Sequence, residues 1–219
     1  MSIMQRLRAA ARRIPCGTLL LAAVAIGLQF SPSMCGPLQY DRAAIQGGEW
    51  WRVITCHLTH TSFDHLVWDV GTLLLLGWLC ELENRRRWAI CVGLSAIGIP
   101  AAIWWLLPEL QTYRGLSGID SALFVLVAVN VLLRSLREES RTSAVVAGLL
   151  LTGFVAKTCY ELATGVTLFV DSVTAGMTPI PLAHVVGAVV GLVVGTATWR
   201  ALLAATALPL RVKRLSFKH

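Results

Sequence analysis

The sequence has few charged residues for its length: Asp, Glu, Lys and Arg make up 14% of 219 residues, whereas 56% are hydrophobic. A soluble domain has roughly 25% charged residues, so these are too few to cover a globular surface. Several apolar runs approach the ~20 residues with which a helix crosses a bilayer core of about 30 Å. The composition therefore predicts an all-α polytopic membrane protein of one domain, surrounded by the lipid bilayer and without an appended soluble domain.

Other common sequence signals are also missing. The six cysteines form no CxxC pair and no zinc-type spacing. No A-x-A cleavage site follows the first apolar run, so we interpret that run as an uncleaved helix and not as a signal peptide. There is no internal repeat and no low-complexity segment. Cys35 and Cys56 fall in one predicted outer loop, and the sequence leaves open whether they form a disulfide or stay free thiols.

Six apolar segments predict transmembrane helices, at roughly 16–30, 65–82, 88–107, 117–134, 143–164 and 181–205. The chain then divides into a basic N-terminus (1–15), a six-helix membrane domain (16–206) and a basic tail (207–219). The longest break, 31–64, is rich in Gly, Pro, Trp and His and is long for a linker in a compact bundle. We therefore expect this outer loop to have a structure and a role of its own.

The net charge of +7 reflects membrane topology and not a nucleic-acid partner. Of the 19 Lys and Arg residues, 15 fall in clusters of four, three, three and five, which six crossings would place on one side. The positive-inside rule then puts both termini in the cytoplasm. Interfacial tryptophans fall at the opposite face, at positions 50, 51, 104 and 105.

Four predicted helices carry a polar residue at nearly the same depth, namely Asp69, Ser117, Lys157 and His184. Each is 16 or 17 residues from the basic residue at the cytoplasmic end of its helix, which is ~24 to 26 Å at about 1.5 Å per residue. His65 lies one turn further out. Ionisable residues inside a span are costly and mark functional sites, so the shared depth predicts a buried polar site near the outer rim.

Each of these residues also has a structural explanation when it is taken alone. Ser117 is a good helix cap, because serine is favoured at that position. His184 is equally consistent with a core histidine bonded to a carbonyl group. Lys157 and Glu161 have the i,i+4 spacing of a simple ion pair. The coincidence of depth is what favours the functional interpretation.

Ser117 begins an apolar run within YRGLSGIDSALF, where it stands between glycines. A hydroxyl at a helix N-terminus is a candidate nucleophile, because the free N–H groups there face a developing negative charge. Gly115 and Gly118 leave room for a peptide backbone. Together with a base and an oxyanion hole, such a hydroxyl would suit serine hydrolysis.

His184 is the only histidine in the later predicted helices and is the candidate base. Gly187 and Gly191 follow it at i+3 and i+7 and form a small-residue face, which lets another helix pack very closely. We expect the helix of Ser117 to pack there, which would bring the two side chains together.

A set of motifs occurs in a fixed order between residues 50 and 191: W-R at 51–52, His65 thirteen residues later, Glu81, G-L-S-G at 115–118 and A-H-V-V-G-A-V-V-G at 183–191. With these motifs the chain resembles the rhomboid family of intramembrane serine proteases. Their order and spacing carry the resemblance more than any one piece. GEWWR, YRGLSG and the Lys157/Glu161 pair make the chain look most like the rhombosortase branch.

The resemblance implies a catalytic dyad with no third member and no cofactor or metal, in which Ser117 is the nucleophile and His184 the general base. It implies an oxyanion hole formed by the Ser117 N–H and the His65 side chain, with Gly115 and Gly118 in support. Arg52 and Glu81 match positions that brace the first outer loop. Lys157, Glu161 and Asp120 are candidates for supporting positions behind the dyad.

Two residues depart from the family pattern. Asp69 replaces an asparagine that usually contributes to the oxyanion hole, and an ionised carboxylate would repel an oxyanion. Asp69 could be a neutral acid that donates, could bond His65, or could hold Lys157 while the hole relies on fewer donors; we favour the last two together. Ser121 replaces a tyrosine that packs on the base in many rhomboids, so what orients His184 stays open, with Asp120 as one candidate.

The segment CHLTHTSFDH also raises a zinc hypothesis, because it holds His57, His60, Asp64 and His65. It contains no H-E-x-x-H pattern and no general-base glutamate beside these residues. We therefore predict no metal site and expect His57 and His60 to be wet loop residues at the interface.

The resemblance implies an enzyme of the bacterial inner membrane that cuts single-pass membrane proteins near the outer end of the span. For a rhombosortase, the substrate is the C-terminal anchor of an exported protein, with a Gly-Gly motif ahead of an apolar helix (GlyGly-CTERM), and the product is released or transferred. Two alternatives are a non-catalytic rhomboid-like protein that binds membrane helices and a small transporter. The intact Ser117 and His184 argue against the first, and the absence of inverted repeats argues against the second.

Overall fold

The computed structural model describes residues 14–168 and 179–197. In chain order, the elements are α1 (Cys16–Gln29), α2 (Pro32–Leu38), β1 (Tyr40–Asp41), α3 (Arg42–Gln46), α4 (Arg52–Thr55), a 3₁₀ turn (Cys56–Leu58), α5 (Phe63–Glu83), α6 (Arg85–Leu106), β2 (Thr112–Tyr113), α7 (Ser117–Arg137) and α8 (Arg141–Thr164). A further helix, α9, is described over Pro181–Ala197.

Four helices, α5 to α8, are long and apolar enough to cross a membrane, with 21, 22, 21 and 24 residues. At about 1.5 Å per residue each exceeds a hydrocarbon core of about 30 Å. The apolar helices α1 and α9 are shorter over their described lengths. The protein is thus an integral membrane protein with a mainly helical bundle, and six crossings stay a prediction. The predicted N-terminal and C-terminal basic segments fall largely or wholly outside the described residues.

Helix ends follow local capping chemistry. Ser62 precedes α5, and its side chain accepts a hydrogen bond from the His65 N–H at 3.1 Å. Asn84 separates α5 from α6 as a single extended residue, and it accepts from the Arg87 N–H at 3.0 Å. Such side-chain acceptors satisfy donors that a helix leaves unpaired in its first turn.

Helix α7 lies at the centre of the bundle and packs against α5, α6 and α8. Its fourth neighbour is α9, which approaches through the predicted glycine face: a methyl group at Gly187 would overlap the carbonyl oxygen of Gly118, and one at Gly191 would overlap that of Ala122. In lipid, helices gain little from the hydrophobic effect, so this close van der Waals contact is what holds them together. The predicted partner of the glycine face is confirmed.

The outer loop has its own structure, as its length predicts. Strand β1 pairs antiparallel with β2, with Tyr40 opposite Tyr113 and Asp41 opposite Thr112. Arg52 is buried, and its guanidinium donates to the carbonyl oxygens of Gly36 at 2.6 Å and Gln39 at 3.1 Å. The loop is therefore tied to the chain just ahead of Ser117, and Arg52 lies where a bracing role requires.

A second buried arginine in this loop had no signal in the sequence analysis. Arg42 donates to four carbonyl groups around the C-terminal end of α6, including those of Ile103 and Leu107. Its guanidinium also lies 4.6 Å from the ring centre of Trp104. A buried guanidinium group needs such acceptors to offset its desolvation.

Glu81 does not brace the outer loop. It lies near the opposite end of α5, where its carboxylate accepts from the backbone N–H groups of Gly17 at 3.0 Å and Thr18 at 2.8 Å. It also pairs with Arg85 at 3.1 Å. Its physical role is to cap the start of α1, because a carboxylate is favourable beside unpaired helix N–H groups. The expectation from the family pattern was wrong for this residue.

Cys35 and Cys56 are both free thiols and both are buried. The alternative of a disulfide between them is therefore not what the structure contains. Burial raises the pKa of the Cys56 thiol, which is fully buried.

Candidate active site

Ser117 is the first residue of α7, and its side chain does not cap the helix. The residue at the cap position is Leu116, and no side chain makes a cap hydrogen bond there. The Ser117 hydroxyl instead lies 3.2 Å from Nε2 of His184. The interpretation of Ser117 as a helix cap is wrong, and its hydroxyl is directed at His184.

His184 lies in the first turn of α9, with its imidazole between two side chains. On one side Nε2 faces the Ser117 hydroxyl, and on the other Nδ1 is 3.0 Å from Oε2 of Glu161. A neutral imidazole has one donor and one acceptor nitrogen. If Nδ1–H donates to the carboxylate, the Nε2 lone pair faces the hydroxyl, which is the arrangement of a general base.

Glu161 belongs to α8 and is buried, with 1% of its surface exposed. Its Oε2 also accepts from Nζ of Lys157 at 2.7 Å, so the predicted i,i+4 pair is present. Sequence analysis left open which group orients His184, with Asp120 as a candidate. The structure brings Glu161 to the imidazole instead, and Asp120 is buried without a hydrogen-bond partner among the described residues.

Asp69 contacts His60 and His65 and not Lys157. Its Oδ2 accepts from the Leu116 N–H at 2.8 Å and lies 3.3 Å from Nε2 of His65 and 3.2 Å from Nε2 of His60. The alternative in which Asp69 bonds His65 is present, and the alternative in which it holds Lys157 is wrong. Lys157 pairs with Glu161, one turn away on its own helix.

The two supporting glycines are needed for different reasons. Gly115 has φ +115°, and a β-carbon there would come within 2.8 Å of the His65 ring. Such a backbone conformation favours glycine. Gly118 has an ordinary helical backbone, but a β-carbon would lie 3.0 Å from the Ala183 carbonyl oxygen. Gly118 therefore permits the approach of α9, and with it that of His184.

His57 and His60 are buried, and the expectation that they are wet loop residues was wrong. His57 bridges two segments, with Nδ1 3.3 Å from the Gly115 carbonyl oxygen and Nε2 3.1 Å from that of Ala96. Burial lowers the pKa of His57, so its neutral form is favoured. Within the described ranges, no group of three His, Cys, Asp or Glu side chains is arranged to hold a metal ion.

A cavity of about 640 Å³ opens onto Ser117 and His184. It lies among α5, α7 and α8 and has both polar and apolar walls, which include Trp68, Asp69, Asp120, Phe124, Phe154 and Lys157. The arrangement offers a nucleophile, a base and an apolar space beside them. Its chemistry fits attack on a carbonyl group that reaches the cavity.

Three contacts of the site were missed from the sequence: that of Glu161 with His184, that of His60 with Asp69 and the bridge made by His57. A signal existed only for Glu161, because it is one turn beyond Lys157 and therefore near the shared polar depth. The two histidines belong to the outer loop, which has no periodic pattern from which burial could be inferred.

A comparison with protein families finds that the model of the Rhomboid domain matches residues 47–201, which is more than half of the chain and includes Ser117 and His184. No curated protein matches the chain. Rhomboid proteins are generally intramembrane serine proteases and act on membrane-embedded substrates. Given the extent of the match and the apolar helices, the chain belongs to the rhomboid family.

Proposed function

We propose that the protein is an intramembrane serine endopeptidase that cleaves a transmembrane segment near its outer end. The observation that carries the proposal is the 3.2 Å distance between the Ser117 hydroxyl and Nε2 of His184, at the wall of a cavity in a membrane protein. Catalytic hydrogen bonds of this kind are about 2.6–3.2 Å and are often longer in unliganded enzymes.

The reaction would proceed through an acyl-enzyme. The Ser117 oxygen attacks the carbonyl carbon of the scissile bond, while its proton passes to Nε2 of His184. The C–N bond then breaks, and the imidazolium returns the proton to the leaving nitrogen. In the second half, a water molecule attacks the ester carbonyl carbon and gives its proton to Nε2 of His184. The C–O bond to Ser117 then breaks, and the imidazolium returns the proton to the Ser117 oxygen.

The oxyanion would be stabilised by the backbone N–H of Ser117, which belongs to the first turn of α7. N–H groups of a first turn have no intrahelical partner and carry part of the helix dipole. The His65 imidazole is the second proposed donor, and its Nε2 lies 3.3 Å from Oδ2 of Asp69. Binding of a carbonyl group would require this histidine to exchange one acceptor for another.

The substrate we propose is a rhombosortase-type anchor: the C-terminal segment of an exported protein, with a Gly-Gly motif ahead of an apolar helix. Glycine weakens a helix, so such a segment would unwind readily at the depth of Ser117. We further propose the bacterial inner membrane as the location, cytoplasmic termini, and a membrane domain over 16–206 between a basic N-terminus (1–15) and a basic tail (207–219). The positive clusters support this orientation.

The test is cleavage of a membrane-embedded Gly-Gly anchor substrate by purified wild type, Ser117→Ala and His184→Ala. We expect cleavage by the wild type and a loss of at least about 10³-fold in each variant, because both groups take part in every bond change. A fluorophosphonate should label the wild type at Ser117 and not label Ser117→Ala.

The outcomes separate the parts of the proposal. Labelling of Ser117 without cleavage would retain the protease and reject the Gly-Gly substrate. If the folded wild type neither cleaves nor is labelled, the protease is rejected in favour of a non-catalytic rhomboid-like protein that binds membrane helices.

A further inference from the structure

We infer that Glu161 is a positioning residue for catalysis, so that the site works as a Ser117–His184–Glu161 triad and not as a dyad. The inference rests on the proposed function and adds the group that sets the tautomer and orientation of the base. It is carried by the distance of 3.0 Å between His184 Nδ1 and Glu161 Oε2, on the side of the ring opposite Ser117.

The contact is well defined because it is enclosed. The side chains of His184 and Glu161 are 12% and 2% exposed, so water competes little for the Nδ1–H. A buried hydrogen bond to a charged acceptor is stronger than one between neutral groups. The His184 ring is therefore held by the hydrogen bond at Nδ1, and its Nε2 is directed at the Ser117 hydroxyl.

Lys157 explains how a carboxylate can be kept at this depth. An ionised carboxyl group inside a span is costly unless it is paired and hydrogen-bonded. Glu161 Oε2 accepts from Lys157 Nζ at 2.7 Å and from His184 Nδ1, and Oε1 lies 3.5 Å from the Leu168 N–H. The ammonium group thus stabilises the charge that the imidazole requires.

The residue that replaces the family's tyrosine does not orient the base. The Ser121 hydroxyl donates to the Ser117 carbonyl oxygen at 2.8 Å, one turn back along its own helix. Asp120, the acidic residue of this turn, has no hydrogen-bond partner within the described part of the chain. Of the residues described, Glu161 is the one whose side chain bonds the far nitrogen of His184.

The Glu161 carboxylate acts on proton transfer through the His184 imidazole. When the Ser117 proton moves to Nε2, the ring becomes an imidazolium whose second N–H already donates to Glu161. The carboxylate stabilises this positive charge without taking the proton, and it fixes the Nδ1–H tautomer in which Nε2 is free to accept. Loss of a carboxylate in this position of a triad lowers kcat by about 10⁴-fold in the serine proteases that have one.

The kinetic test compares Glu161→Gln, Glu161→Ala and Glu161→Asp with the wild type on the substrate that the wild type cleaves. We expect kcat to fall about 10²- to 10⁴-fold in the Gln and Ala variants, while KM stays within about threefold. Glu161→Asp should recover part of the lost kcat, because it keeps the negative charge. The recovery should be incomplete, because the side chain is shorter by one methylene group.

The matched control is Thr158→Val. Thr158 is buried on the same helix, and its hydroxyl donates to the Phe154 carbonyl oxygen at 2.9 Å, away from His184. This variant removes a buried polar group of α8 without touching the imidazole, so we expect its kcat to match that of the wild type. Full activity in Glu161→Ala beside inactive Ser117→Ala and His184→Ala would overturn the inference and leave the proposed function standing.

A second measurement does not depend on turnover. The ¹⁵N chemical shifts of the His184 ring nitrogens report which nitrogen carries the proton, and His184→Ala assigns them. We expect the Nδ1–H tautomer in the wild type and a shift towards the Nε2–H tautomer in Glu161→Ala. Identical tautomers in the two proteins would contradict the inference. A wild type that neither cleaves nor reacts with fluorophosphonate would instead reject the proposed function, and the catalytic role of Glu161 with it.

Discussion

The residue that departs most from the family's chemistry is Asp69. Its Oδ2 has three neighbours that can donate: the Leu116 N–H and one ring nitrogen each of His60 and His65. A carboxylate with these contacts holds the backbone immediately before Ser117 and one wall of the site together. We infer that Asp69 supports the site through its side-chain oxygen, which accepts from the Leu116 N–H.

We therefore predict that Asp69→Asn keeps substantial activity, within about tenfold of the wild type, which corresponds to ~1.4 kcal/mol in the barrier. The amide oxygen can still accept from the Leu116 N–H, whereas Asp69→Leu offers no acceptor and should lose both activity and thermal stability. Cleavage rates and melting temperatures of the two purified variants check this. Complete inactivity of a folded Asp69→Asn would show that the carboxyl group has a role of its own.

At the scale of elements, the site depends on the contact between α7 and α9. Ser117 and His184 belong to different helices, and their distance is fixed by how closely the backbones approach at Gly118 and Gly187. The contact has almost no side chain in it. A small change in the spacing of the two helices therefore changes the distance between the Ser117 hydroxyl and the His184 imidazole.

We predict that Gly187→Ala separates these helices and lowers both cleavage and fluorophosphonate labelling by more than about tenfold, because misplacement by ~1 Å can cost about 100-fold in rate. The matched control is Gly148→Ala on α8, where an added β-carbon meets nothing within 4 Å. The control should react at the wild-type rate. Equal labelling of the two variants would show that the glycine contact does not set the geometry of the site.

At the scale of the whole molecule, the bundle has a loop-covered side, where β1 and β2 pair, and a side with arginines at the connections between helices. Arg85 to Arg87 follow the first long helix, and Arg134, Arg137 and Arg141 surround the connection between α7 and α8. Ser117 lies near the loop-covered side, since β2 ends four residues before it. Orientation in the membrane therefore decides which compartment reaches the site.

We predict that a cysteine at Glu109 is exposed to the outer compartment and one at Glu138 to the cytoplasm. Both residues are exposed, and they lie in the α6–β2 and α7–α8 connections. In a background with Cys16→Ala and Cys159→Ala, a membrane-impermeant maleimide should modify Glu109→Cys in intact bacterial spheroplasts. Glu138→Cys should react only after lysis, and the reverse pattern would contradict the orientation that the positive-inside rule gives.

The sequence by itself determined the four long helices and the residues with which the reaction was proposed. Whether a segment can cross a bilayer depends on the length and hydropathy of its own run, which is a local property. The predicted start of α7 at residue 117 therefore agrees with the structure, as does the glycine face of α9. Depth also follows from counting along one helix, which is why Ser117 and His184 could be placed at one level.

Only the tertiary structure decided which of these polar residues touch. Each residue turns a helix by 100°, so depth alone does not say which neighbour a side chain faces. The rotation of α8 directs Glu161 towards His184. Asp69 instead lies near His65, one turn back on its own helix, and near His60 of the outer loop. That loop is irregular, and its burial of His57 and His60 comes from long-range contacts, such as the β1–β2 pairing, that no run of adjacent residues encodes.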